Sequence, residues 1–320
     1  MAQNSSTHAL STQQVEKLRL LLEARGWKFE SKEYTIFAAR KDQTTVAVYE
    51  KGPKVLVQGK GTAEFVEFLL EPEILGIAEL GYTEVHQPEM FQPHIGVDES
   101  GKGDFFGPLV VAGVYVEPAS ARALQAAGVQ DSKAISSDKR IRELADAIRA
   151  TAGALHDVVS IGPERYNETY VKAGNLNRLL AWGHARVIEN LLERQPTCPR
   201  ALSDQFAHES VLKKALLTRG KTIKLEQRTK GESDIAVAAA SILARERFIN
   251  WLDEASRRLG ITLPRGASNK LITEIGQQLI TQRGNDFLPK VGKMHFRNSY
   301  RILGLPEPVR EPYKRRPDRA

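Results

Sequence analysis

The chain has 320 residues, 41% hydrophobic and 27% charged, with a net charge of +7. That is an ordinary globular composition with room for two domains. No apolar run is long enough to span a bilayer, and the single cysteine, Cys198, excludes an internal disulfide and a multi-cysteine zinc site. The polar start MAQNSSTHALSTQQ lacks the apolar segment of a signal peptide, so a cytoplasmic location with no membrane partner is expected.

The charge is unevenly spread. Residues 1–90 carry 10 Lys and Arg against 13 Asp and Glu, which leaves the remainder strongly basic. Within the first part, residues 28–60 are basic, whereas residues 61–90 hold seven acids and no base. Segregated positive charge suits a polyanionic partner, although many basic proteins bind no nucleic acid.

In chain order, QQVEKLRLLLEAR (13–25) has the apolar spacing of a helix, and Gly26 is placed to end it. Residues 27–61 are rich in β-branched and aromatic residues and are cut at Lys41-Asp42 and Gly52-Pro53. They predict three or four antiparallel strands. AEFVEFLLE follows as a short amphipathic helix. The result is a small α+β domain with one sheet face open, and Lys28, Lys32, Arg40, Lys41, Lys51, Lys54 and Lys60 in or beside that sheet. Two prolines and little periodicity over 82–93 mark a linker. Beyond it, strands are expected at HIGVD, PLVVAGVYVE, ALHDVVSI, RALSD and KTIKLEQR. Helices are expected at 138–150, 175–194, HESVLKKALLT and 234–259. Such alternation predicts an α/β domain with a central sheet flanked by helices.

The stretch GVDESGKG (96–103) almost spells a phosphate-binding P-loop, but Gly103 stands where a Ser or Thr should meet magnesium. Asp98 and Glu99 would also repel phosphate inside the cradle, by about 4 kcal/mol per charge pair at 4 Å and an effective dielectric near 20. A cation reverses that sign, so the acids read as metal ligands and the glycines as a neighbouring substrate contact. Asp204 ends the strand RALSD, and Asp234 starts the Ala-rich helix after KGESD. Strands meeting at one sheet edge could gather Asp98, Glu99, Asp204 and Asp234 around hard cations such as Mg²⁺. Adjacent strand residues point to opposite faces, however. Asp234 could equally favour its helix N-terminus, and Asp204 could be a turn residue. Spacing alone leaves these readings balanced. His184, alone within a helix, reads as packing or surface.

GVDESGKGDFFGPLVVAG, then DSK (131–133), SDQF (203–206) and KGESDIAVAAASILARERF (230–248) resemble the ordered motifs of type 2 ribonucleases H, over roughly residues 94–304. The DES-GKG form is similar to the ribonuclease HIII branch. This resemblance implies a ribonuclease H-like catalytic domain with a mixed central sheet. It also implies a small N-terminal α+β domain similar to half of a TATA-box-binding-protein fold. The domains are expected at 1–85 (substrate binding), 86–93 (linker), 94–304 (catalytic) and 305–320 (basic tail). The implied activity is metal-dependent hydrolysis of the RNA strand of RNA/DNA hybrids, leaving 5′-phosphate and 3′-hydroxyl ends. The implied cofactors are two Mg²⁺ or Mn²⁺ ions on Asp98, Glu99, Asp204 and Asp234. Ser100, Gly101, Lys102, Gly103 and Lys133 are expected at the substrate, with Lys54 and Lys60 of the first domain. His295 and Arg297 are weaker phosphate candidates. No nucleotide cofactor is expected, and the protein is expected to be a monomer. Residues 261–274 offer no tyrosine of the kind the ribonuclease HII branch uses to sense a lone ribonucleotide, and Tyr300 does not match that context. A ribonuclease HII-like cleavage at single embedded ribonucleotides and a non-catalytic nucleic-acid-binding module remain alternatives.

Overall fold

A computed structural model describes residues 5–76, 87–229, 231–268 and 270–308. The expected linker lies partly outside these residues, as does most of the expected tail. Contacts divide the chain into two compact units, Met1–Met90 and Phe91–Ala320.

In the first unit, β1 (Ser5–Ala9) precedes α1 (Thr12–Ala24). Then come β2 (Lys28–Glu30), β3 (Thr35–Lys41), β4 (Thr44–Tyr49) and β5 (Lys54–Gly59). Ser11 starts α1 by accepting from the Gln14 N–H, while the Gln14 side chain accepts from the Ser11 N–H, two orphan donors satisfied reciprocally. The sheet order is β1-β5-β4-β3-β2, antiparallel throughout. The strand β1 was not expected from SSTHA. It is a polar edge strand held by backbone pairing with β5, so it carries no apolar pattern.

The helix α2 (Thr62–Phe65) runs on into wider π-helical turns over Val66–Leu75, which contain Pro72. Phe37, Ala39, Val46, Val48, Val55 and Val57 form one sheet face. They pack against Val15, Leu18 and Leu22 of α1 and Phe65, Val66, Leu69, Leu70 and Ile74 of the second helical segment. Register therefore puts Lys28, Arg40, Thr45, Tyr49, Lys54 and Gln58 together on the opposite face. Lys28, Arg40, Lys54 and Gln58 are exposed there, and so is Lys60 just past β5.

The second unit is built on β6 (His94–Ser100), β7 (Leu109–Val116), β8 (Leu155–Ile161), β9 (Arg200–Asp204) and β10 (Lys224–Arg228). Their order is β10-β9-β6-β7-β8. The β10–β9 and β9–β6 pairs are parallel, and β6–β7 and β7–β8 are antiparallel, so the sheet is mixed. Its helices are α3 (Pro118–Ala126), α4 (Asp138–Ala150), α5 (Pro163–Ala173), α6 (Leu176–Arg194), α7 (Glu209–Ala215), α8 (Ile235–Leu259), α9 (Lys270–Arg283) and α10 (Arg297–Leu303). Ile95 and Val97 of β6 pack on the α6 side with Ala181, Ala185 and Ile188. The even-numbered residues of β6 face α8. Gly96 lets that helix close in, because a Cβ there would lie 2.2 Å from the Ala236 carbonyl carbon. Among the described residues, no helix is long and apolar enough to cross a membrane.

Candidate active site

The carboxylates are placed by strand alternation and register. Asp98 and Glu99 are consecutive in β6 and turn to opposite faces, as alternation demands. Asp98 faces α8 and hydrogen-bonds Ser241 there, and its Oδ1 accepts from the Glu99 N–H at 2.8 Å. Glu99 faces α6, where the fully buried His184 donates from Nε2 to its Oε2 at 3.0 Å. Lys102 donates to the other Glu99 oxygen at 3.3 Å. The parallel register pairs Val97 with Ser203, so Asp204 falls beside Asp98 at the neighbouring strand end. Its Oδ1 accepts from the Gly231 N–H at 3.1 Å.

Burial pushes the Asp98 carboxyl up to about 7, with the charges of Glu99 and Asp204 adding to it. Burial also pushes Glu99 upward. The hydrogen bond and charge of His184, and then Lys102, outweigh that and hold Glu99 below the usual glutamate range. Three acids thus share one field at the ends of β6 and β9.

Asp234 stands apart from them. It caps α8, its Oδ1 accepting from the Ala236 and Val237 N–H groups at 2.9 and 3.2 Å, and from the buried His94 Nε2 at 2.9 Å. His94 begins β6, whereas Asp98 and Glu99 lie near its end. Two residues before Asp234 the chain offers a different acid. Glu232 has Oε1 3.7 Å from Lys133 Nζ, and its Oε2 is buried without a hydrogen-bond partner. Burial pulls the Lys133 ammonium down, but Glu232, Asp98, Asp131 and Asp204 outweigh it and hold it above the usual lysine range. Lys133 therefore lies in the field of Asp98 and Asp204 as well as of Glu232. As the side chains lie, no group of three or more His, Cys, Asp or Glu among the described residues could hold a metal ion. The carboxylates turn to the protein donors just named. The donor set is nonetheless all carboxylate, as a hard divalent cation requires, and the orphaned Glu232 oxygen is a ligand atom without a partner.

The turn beside the acids is built for close approach. Gly101 has φ 84°, and a Cβ there would lie 2.2 Å from the Pro108 carbonyl oxygen, so only glycine fits. Gly103 is exposed, with Ser100 and Lys102 half-buried beside it. Ser132 of the DSK stretch is buried and hydrogen-bonds Ser241 at 2.7 Å, which ties Lys133 to the helix that holds Asp98. The two weaker phosphate candidates are otherwise engaged. His295 stacks on Tyr170 with ring centroids 4.5 Å apart, and burial, then Lys293, lowers its pKa to about 4, so it is neutral near pH 7. Arg297 pairs with Glu307 at 3.4 Å.

Glu232 is not singled out by the sequence, and His184, which reads there as packing or surface, instead bonds Glu99. A signal for His184 was present: it occupies the apolar stripe of α6 between Ala181 and Ile188, where a polar residue needs a buried partner.

The family model for "Ribonuclease HII" matches residues 95–299. The chain belongs to the ribonuclease HII family. A second model, a domain of unknown function (DUF3378), matches residues 8–76. The family's curated members include a ribonuclease HIII of Protochlamydia amoebophila, 45% identical over 289 residues, which are 90% of this chain and 93% of that protein. Among solved structures, Bst-RNase HIII in complex with Mn²⁺ is 28% identical with a TM-score of 0.64, covering 94% of this chain and 98% of that one. RNase H3 of Aquifex aeolicus is 26% identical with a TM-score of 0.53, covering 91% and 100%. Family membership makes the chain a ribonuclease H-type endonuclease, and a metal requirement goes with the family.

Proposed function

We propose that this enzyme hydrolyses the RNA strand of RNA/DNA hybrids, with its divalent ions held by Asp98, Glu99, Asp204 and Glu232, and that Asp234 is structural. The observation that carries this reading is the placement of Asp98, Glu99 and Asp204 at adjacent strand ends, with Gly231 bonded to Asp204 and an orphaned Glu232 oxygen next along the chain, a concentration of carboxylates that a bound cation relieves. When bound, Mg²⁺ or Mn²⁺, two ions with substrate present, would supply an activated water and stabilise the departing 3′-oxygen. The residues do the rest. The Gly101–Gly103 backbone approaches the minor groove, where 2′-hydroxyls distinguish RNA from DNA. Ser100 lies at the start of that turn. Lys102 and Lys133, which face Glu99 and Glu232 here, would be placed to meet the substrate's phosphates. His184 holds Glu99 at the correct rotamer.

The uncovered face of the first unit is read as the grip on the duplex. Its Lys28, Arg40 and Lys54, with Lys60 beside it, match a polyanion in sign. Replacing Lys28, Arg40 and Lys54 together by Ala is expected to lower the salt slope of hybrid binding by about 3. An unchanged slope in a salt titration would remove this face from the interface. The buried Cys198 is in keeping with a reducing cytoplasm, and the enzyme is read as acting as a monomer.

Two duplexes test the function directly. A long RNA/DNA hybrid should be cut in Mg²⁺ or Mn²⁺, not in EDTA, to give 5′-phosphate products. A DNA duplex with one embedded ribonucleotide should be cut far more slowly. Equal cutting of both would favour ribonuclease HII-like specificity, and no cutting of either in any divalent metal would reject the catalytic reading.

A further inference from the structure

Lys293 lies between the turn at Asn285–Lys290 and α10, and it is completely buried. Its Nζ donates to the Asp104 carbonyl at 2.9 Å. The ammonium stands 5.6 Å from the centroid of the Tyr166 ring and 6.0 Å from that of Phe248, and it has no ion pair among the described residues. Burying an ammonium this way is costly, and it lowers the Lys293 pKa to about 7 against the pull of Asp104. An aliphatic side chain would fill the same space without that cost, so its value lies in the hydrogen bond it donates.

That bond acts on a specific peptide. The Asp104–Phe105 peptide is held by Lys293 Nζ at its carbonyl, and its N–H donates to the Gly266 carbonyl at 2.9 Å. The Asp104 side chain accepts from the Gly266 N–H at 2.6 Å. Further along, the Lys293 N–H donates to the Phe105 carbonyl at 2.8 Å, and the Gly107 N–H donates to the Val291 carbonyl at 3.0 Å. Residues 104–107 are thus stitched to two other segments. The turn just before them has its own Asp104 N–H to Gly101 carbonyl bond at 3.4 Å, and Gly103 at its tip is exposed. Phe248, which Lys293 faces, also lies under Gly101, whose added Cβ would come within 2.9 Å of that ring.

We propose that Lys293 is a positioning residue for substrate recognition: by fixing the Asp104–Phe105 peptide it aims the Gly101–Gly103 turn at the RNA strand. This rests on the reading of that turn as the minor-groove contact. Lys293 touches neither the substrate nor the carboxylates.

The test uses the full chain in EDTA, so that nothing is cut, and compares affinity for an RNA/DNA hybrid with that for a DNA duplex of the same sequence. Lys293→Met is expected to weaken hybrid binding about tenfold and leave DNA duplex binding within about twofold, so that discrimination falls by nearly that factor. Lys293→Gln keeps a donor of shorter reach and is expected to lose about threefold. A purely structural lysine would move the melting temperature or nothing, and would leave the ratio of the two affinities alone. A wild-type ratio in folded Lys293→Met overturns the proposal. If Lys293→Met does not fold, the ratio in Lys293→Gln decides on the same terms. Wild-type protein with no preference for the hybrid would instead remove the reading of the turn itself.

Discussion

Asp98→Asn is expected to abolish hybrid cleavage and to raise the melting temperature of the metal-free protein. Both effects come from the same buried charge. The carboxyl is pushed up to about 7 by burial, then by Glu99 and Asp204, from an ordinary aspartate value of 3.8. With a folded pKa above the unfolded one, the folded state binds the extra proton between those two values. Stability without metal is therefore greatest at acid pH and is lost as pH rises from about 4 towards 7. Above that window the full penalty is present, of order 4 kcal/mol. Asparagine has the same shape and no charge to desolvate. Its Oδ1 still accepts from the Glu99 N–H, and its amide can still bond Ser241. Part of the penalty is then returned, worth several degrees for a unit of this size at roughly 2–4 °C per kcal/mol. Activity should fall by at least about 10³-fold, equivalent to ~4 kcal/mol of transition-state stabilisation. Melting in EDTA at pH 5, 6, 7 and 8, beside single-turnover cleavage in Mn²⁺, checks both halves. Wild-type turnover would remove Asp98 from the metal site. A melting temperature lowered at pH 8 would show that the buried charge does not destabilise the metal-free fold.

Much of this arrangement was legible because it is local. The strands around Asp98 and Asp204 and the helix after Asp234 follow from apolar runs bounded by turn residues, and the structure places β9 at Arg200–Asp204 and α4 at Asp138–Ala150 where periodicity predicts them. Strand alternation also predicts that Asp98 and Glu99 diverge, and they do, towards α8 and α6. What periodicity does not supply is the partner across the fold. Whether Asp234 caps a helix or binds a metal is balanced on spacing alone. The resemblance puts Asp234 with the metal ligands, and the contact that favours a structural role, His94 Nε2 at its Oδ1 from 140 positions away, cannot be read from spacing. Lys293 was missed for the same reason. A lysine in VGKMHF reads as surface until Tyr166, Phe248 and Asp104 are seen to enclose it. The helices α3, where a loop is expected after PLVVAGVYVE, α5, α9 and α10 were missed for another. Three are short, and tertiary burial of a few residues such as Leu124, Tyr166 and Ile302 stabilises what intrinsic pattern leaves ambiguous; α9 does carry a helical signal, with Ile272, Ile275 and Leu279 on one face.

The acids of KGESD separate cleanly by substitution, because the two candidates differ in what each one holds. Glu232→Gln removes a charge with one oxygen lacking a hydrogen-bond partner and the other 3.7 Å from the exposed Lys133 ammonium, an ion pair that contributes little to the fold. Expected are a loss of cleavage of about 10²–10³-fold, or ~3–4 kcal/mol in the transition state, and no drop in melting temperature. Asp234→Asn keeps an acceptor at the cap of α8, since Asn caps as well as Asp. It should fold and cut the hybrid at close to the wild-type rate. Asp234→Ala removes the acceptor. The Ala236 and Val237 N–H groups lose their cap, at about 1 kcal/mol, and the fully buried His94 loses its Nε2 partner, at about 1–3 kcal/mol more. This variant should therefore be less stable by roughly 2–4 kcal/mol, while whatever fraction remains folded keeps its activity. Rates normalised to folded protein, alongside urea melts, tell the two residues apart. Inactive but stable Asp234→Asn with fully active Glu232→Gln would reverse the assignment and return Asp234 to the metal. It would also mean that the cap and its histidine rearrange when the ions arrive.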